Sequence, residues 1–196
     1  METQVSIIFE DEAEEIKLEP APRLAHELNL GIDWTERIIY LTDEIESDTG
    51  AWVWQLLERW QCQPVEIHMS TPGGDVDSMF QIHDAIRRHR CVTVTAYGQC
   101  CSAGVLILAC AHKRRVTESL IWMSHESTAS GGELGYRAAK DRRKVDDWMH
   151  VYWAELMGRY TPQDAGWWQR KTERQAEYWL LGGQAVVDAG CADVVI

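Results

Sequence analysis

The chain reads as a mixed α/β protein, with a mostly parallel sheet covered by helices. Three observations predict it. Strand-like and helix-like segments alternate through the first two thirds of the sequence. Two glycine-bearing turns, at Pro72-Gly73-Gly74 and around Gly98 to Gly104, each follow a β-rich run and precede a helix-compatible one. A long helical stretch then fills residues 133–159.

Taken in order, residues 1–31 predict an irregular acidic arm. It contains the run Glu10-Asp11-Glu12-Ala13-Glu14-Glu15, followed by Pro20 and Pro22. Arg37-Ile38-Ile39-Tyr40-Leu41 predicts a strand. Ser47-Asp48-Thr49 offers a cap to a helix on which Val53, Leu56, Leu57 and Trp60 keep helical spacing. Val65, Ile67 and Met69 alternate as on a strand with one buried face. A helix over 75–89 follows, with Val76, Met79, Phe80, His83 and Ile86 on one side. The strand 91–96 enters a small-residue turn at Ser102, and an apolar helix runs on to about residue 111. Short strands are expected at 115–117 and 120–124. The long helix is opened by Gly131-Gly132, and Val145, Trp148, Met149, Tyr152 and Leu156 form its apolar stripe. Thr161-Pro162 predicts a helix start, with proline at the first helical position. A last short helix over 184–189 is ended by Gly190.

Composition excludes several classes of function. The chain has 196 residues, enough for one domain with a substantial core. A net charge of -12 disfavours non-specific binding to nucleic acid or to anionic membranes. The longest apolar run, near 103–111, is too short to span a bilayer. Met1-Glu2-Thr3-Gln4 lacks a basic leader, so a cytoplasmic location is expected. Six cysteines carry no Cys-x-x-Cys spacing, so buried small hydrophobes are expected rather than a disulfide or zinc framework. The ten tryptophans are expected in the core or at subunit contacts. His68, His83, His89, His112 and His150 lack metal-ligand spacing, and no metal or cofactor is expected. The basic patch His112-Lys113-Arg114-Arg115 is expected to form salt bridges in a loop or between subunits.

Ser102 lies where a β-rich run meets an apolar helix. Free backbone N–H groups and the helix dipole there favour negative charge. His125 ends another short strand. A serine, a histidine and two amide-bearing turns at strand ends together point to a serine hydrolase.

The blocks Arg37-Ile38-Ile39-Tyr40-Leu41, Ser70-Thr71-Pro72-Gly73-Gly74, Gly98-Gln99-Cys100-Cys101-Ser102-Ala103-Gly104, Trp122-Met123-Ser124-His125 and Gln184-Ala185-Val186-Val187-Asp188-Ala189-Gly190 resemble, in order, the ClpP family. This is the proteolytic subunit of Clp protease, and the divergence between blocks resembles a phage-type member. The resemblance implies a single α/β domain over 32–196, a crotonase-like spiral of β-β-α units with a handle region near 126–160. It implies a serine endopeptidase that cleaves peptides and unfolded proteins inside a ring, or stacked rings, of its own copies. An AAA+ unfoldase would supply folded substrates. Position by position, Ser102 matches the nucleophile and His125 the general base. Gly74 and Ala103 match the oxyanion-hole amides, and Pro72 and Gly73 the strand that pairs with substrate.

The sequence departs from the family at the third triad member. The segment 172–185 has no aspartate. Three alignments place Tyr178, Gln175 or Glu177 at the position, and only Glu177 keeps a carboxylate, which makes it the favoured candidate. The missing aspartate also leaves open a weak or inactive ring subunit. A crotonase-type acyl-CoA enzyme is a third reading, because two oxyanion turns suit that chemistry as well.

Overall fold

Alternating burial along the strand at Val65–Thr71 sets the geometry of the molecule: Val65, Ile67, Met69 and Thr71 all point inward. A computed structural model describes residues 5–7, 16–18, 31–126 and 136–196. Its elements are β1 (Val5–Ile7), β2 (Ile16–Leu18), β3 (Ile32–Asp33), β4 (Ile38–Leu41), α1 (Thr49–Arg59), β5 (Val65–Thr71), α2 (Val76–His89), β6 (Val92–Cys101), α3 (Ala103–Ala109), β7 (Lys113–Val116), β8 (Ile121–Ser124), α4 (Tyr136–Tyr160), α5 (Ala165–Thr172), β9 (Tyr178–Leu181), α6 (Gly183–Asp188) and β10 (Val194–Val195).

Eight strands form one sheet in the order β10-β7-β6-β5-β4-β3, with β8 added to β6 and β9 to β8. The β4, β5, β6, β7 and β10 pairings are parallel, which fits strands joined through helices. The β3–β4 and β8–β9 pairings are antiparallel. Strand β6 carries two parallel neighbours in succession: β7 along Thr93 to Ala96, then β8 along Gln99 to Cys101. This is why β6 runs on to Cys101 instead of stopping at residue 96. Gly98, at φ +59°, and a register shift against β5 between Met69 and Thr71 absorb the irregularity.

Helix α3 is apolar all round because every one of its residues is buried, between the sheet and the α2 and α4 helices. Helices α1 and α2 approach closely at Gly50, where a Cβ would fall 2.8 Å from Ser78 Cα. The Gly50 amide donates to Ser78 Oγ there at 3.2 Å.

Other expectations need correction. The arm is not wholly irregular: β1 and β2 pair antiparallel, Val5 opposite Leu18. The acidic run between them lies outside the described residues, as does Gly131-Gly132. Thr161-Pro162 does not start a helix. Asp164 caps α5 by accepting from the Trp167 amide at 2.7 Å, while Thr161 Oγ1 donates back to Met157 O and closes α4. The α4 stripe is buried only from Met149 onward; Val145 and Trp148 face solvent. Cys62 and Cys91 are exposed, whereas Cys100, Cys101, Cys110 and Cys191 are buried as expected. Arg114 holds Asp193 and the carbonyls of Tyr160 and Gly190, tying the last turn of the chain to β7.

Candidate active site

Ser102 stands between β6 and α3 with φ 52° and ψ -115°, a region that side chains rarely adopt. Its amide donates to Met123 O at 2.8 Å, so β8 fixes the turn. His125 lies two residues past Met123, just beyond the end of β8. Its Nε2 lies 2.9 Å from Ser102 Oγ, the geometry in which a serine hydroxyl donates to an unprotonated ring nitrogen. The pairing of β6 with β8 thus places two residues 23 apart in sequence within one hydrogen bond.

The glycine turn after β5 completes the cleft. Ile45 forms an isolated parallel bridge with Gly74: its amide donates to Gly73 O and its carbonyl accepts from Asp75 N, both at 2.7 Å. That pairing directs the Gly74 N–H to the opposite side. Gly73 N donates to Thr71 Oγ1. Among the described residues the Gly74 and Ala103 amides have no acceptor, whereas the Gly73, Asp75 and Ser102 amides do. Both glycines are required. A Cβ on Gly73 would lie 2.5 Å from Ser102 Cβ, and one on Gly74 would lie 2.2 Å from Ile45 O. Their φ values of +111° and +141° also exclude most side chains.

Two depressions meet at Ser102 and His125. One is apolar, walled by Val76, Met79 and Phe80 of α2 and by Met149, His150 and Trp153 of α4. The other is an open groove past Pro72 and Gly74, bordered by Glu44, Glu46, Asp75, Asp77 and the Arg142–Asp146 pair. Sequence reasoning took Val76, Met79, Phe80 and Met149 as plain packing residues, His150 as an ordinary surface or core histidine, and Trp153 as one of the tryptophans of the core or of subunit contacts. Nothing in helical spacing distinguishes a pocket wall from a core face.

The third-member candidates separate clearly. Tyr178 packs among Trp122, Trp167 and Trp168, and burial pushes its hydroxyl pKa up. Across the hairpin it stands opposite Ser124. The Gln175 side chain lies outside the described residues. Glu177 is exposed, and its Oε2 accepts from Trp179 Nε1 at 3.0 Å. His125 Nδ1 meets no partner among the described residues. Trp179 was absent from the sequence-based site. Burial, with a smaller push from the Glu177 charge, also raises the Cys101 thiol pKa.

The remaining histidines have ordinary settings. His83 bonds Asp84 and Tyr160, and His89 Nε2 donates to Trp60 O. No group of three metal-ligating side chains occurs among the described residues. Among the same residues, no helix is long and apolar enough to cross a membrane.

A cleft with a serine–histidine pair, two amides that meet no acceptor among the described residues and an adjoining apolar pocket has the parts of an acyl-transfer site. Residues 32–196 match the family model described as Clp protease, so the chain belongs to the Clp protease family. A search of curated proteins found no match. The mixed α/β domain with its eight-stranded sheet is the ClpP fold.

Proposed function

We propose that this chain is the serine endopeptidase subunit of a self-compartmentalising ring, cleaving peptides and unfolded proteins through an acyl-enzyme on Ser102. The observation that carries the reading is the 2.9 Å contact between Ser102 Oγ and His125 Nε2. Ser102 attacks the scissile carbonyl carbon while His125 Nε2 takes the hydroxyl proton. The carbonyl oxygen becomes an oxyanion, held by the N–H groups of Gly74 and Ala103. One such donor in a dry site is worth about 3 kcal/mol of transition-state stabilisation. Collapse breaks the C–N bond, and His125 gives its proton to the leaving amine. Water, deprotonated by the same ring, then attacks the ester and releases Ser102. Substrate backbone lies along Pro72 and Gly73 as an added strand, with an apolar side chain in the pocket between α2 and α4. Family membership supports ring assembly, an ATP-driven unfoldase as feeder and a cytoplasmic setting.

A second reading has one observation in its favour. The Glu177 carboxylate is engaged by Trp179, which suits a subunit of weak basal activity. The decisive test is Ser102→Ala. It should abolish turnover of small fluorogenic peptides and labelling by a fluorophosphonate while leaving the protein folded. Unchanged turnover by that variant would sink the mechanism; a wild-type Ser102 that neither labels nor cleaves would favour the inactive subunit.

A further inference from the structure

We infer that Trp179 is a positioning residue that sets the activity of the site by competing with His125 for the Glu177 carboxylate. The inference rests on the reading of Ser102 and His125 as nucleophile and base.

The register of the β8–β9 hairpin carries it. Met123 lies opposite Trp179 and Ser124 opposite Tyr178. The ladder ends at that pair, and the same register carried one residue past it sets His125 opposite Glu177. Residues directly opposed on antiparallel strands project from the same face, and so do residues two apart on one strand. Met123, His125, Glu177 and Trp179 therefore share one face of the hairpin. The opposite face turns Trp122 and Ser124 into the core, both essentially buried. On that extended register a carboxylate stands across the hairpin from the imidazole and on its side.

In the structure that carboxylate faces along its own strand instead. Glu177 Oε2 accepts from Trp179 Nε1 at 3.0 Å, while His125 Nδ1 has no acceptor among the described residues. An N–H bonded to a charged oxygen is a strong contact and holds the side chain in one rotamer. The ring of Trp179 is 47% exposed and makes no ring-to-ring contact among the described residues, so its N–H is the part that acts on the site. Rotation of Glu177 from the indole to Nδ1 would fix the tautomer that leaves Nε2 free to accept from Ser102. It would also balance the positive charge that forms on the ring.

Trp179→Phe keeps an aromatic ring and removes the donor. Steady-state cleavage of a fluorogenic peptide should show kcat raised roughly tenfold with KM unchanged, because the orienting carboxylate acts on the charged transition state rather than on ground-state binding. In a Glu177→Gln background the same substitution should change nothing. A kcat that stays flat or falls in Trp179→Phe overturns the inference, and so does a rise that persists with Glu177→Gln. These outcomes differ from failure of the underlying reading, which appears as turnover surviving Ser102→Ala.

Discussion

His83 shows how one buried side chain makes the whole protein sensitive to pH. It is 5% exposed, with Nδ1 2.8 Å from Asp84 Oδ1 and Nε2 2.9 Å from the Tyr160 hydroxyl. Burial lowers its pKa from the ordinary 6.5; the Asp84 contact opposes the change, and Arg87 and Arg159 add to it. The unfolded chain therefore binds this proton more readily than the folded one. Stability from His83 is complete above the unfolded value and is lost as pH falls from 6.5 through the lowered folded value. Urea midpoints measured from pH 8 down to about 5 should drop through this window in the wild type. The drop should be smaller in His83→Phe, and an identical slope in both proteins would contradict the assignment. Legibility at this scale was uneven. Ser102 and His125 stood out because each ends a strand beside a small-residue turn. Glu177 was recognisable as a carboxylate, but its bond to Trp179 was not. Two residues apart on an exposed strand face, their meeting depends on rotamers that no periodicity records.

At the scale of elements, the second half of the chain is joined by aromatic rings. Trp122 of β8, Trp153 of α4 and Tyr178 of β9 pack edge to face or tilted around Trp168 of α5, which is fully buried. The indole N–H of Trp168 donates to Thr161 Oγ1 at 2.9 Å. Trp168→Ala removes the centre of the cluster and should cost about 3–5 kcal/mol. Chemical denaturation reads this directly, and a loss under about 1 kcal/mol would mean the cluster repacks without its centre. Strand positions were readable because period-two burial on β5 leaves a plain signature. The length of β6 was not, since it depends on β8 arriving from 20 residues further along. The α4 stripe gave the correct face and the wrong extent. Spacing identifies the side of a helix that is apolar, whereas α3 and α5 cover that side only from Met149.

Among the described residues, two groups of large apolar side chains stand exposed in a single copy. One is Val145, Trp148 and Val151 on α4. The other is Ile121, Trp179 and Leu181 on the outer face of the β8–β9 hairpin. Large exposed apolar side chains grouped in this way mark association surfaces. With a net charge of -12, non-specific self-association is opposed, so geometrically defined contacts are favoured. Light scattering should report a mass many times 22.5 kDa. A strictly monomeric species at micromolar concentration that still digests peptides would contradict the ring. The expectation of a ring came from the five family-like blocks, with the tryptophan-rich long helix and Gly131-Gly132 in support.

The backbone at Ser102 has a consequence for how the chain can change over generations. A non-glycine residue held at φ 52° and ψ -115° carries a conformational cost of about 1–3 kcal/mol, and Gly73 and the bond to Met123 O keep it there. Glycine would occupy the same position at ease. Mutational drift under demand for thermal robustness alone therefore runs downhill away from the hydroxyl, and the sturdiest descendants of this chain would be ones that have given up the chemistry proposed for it.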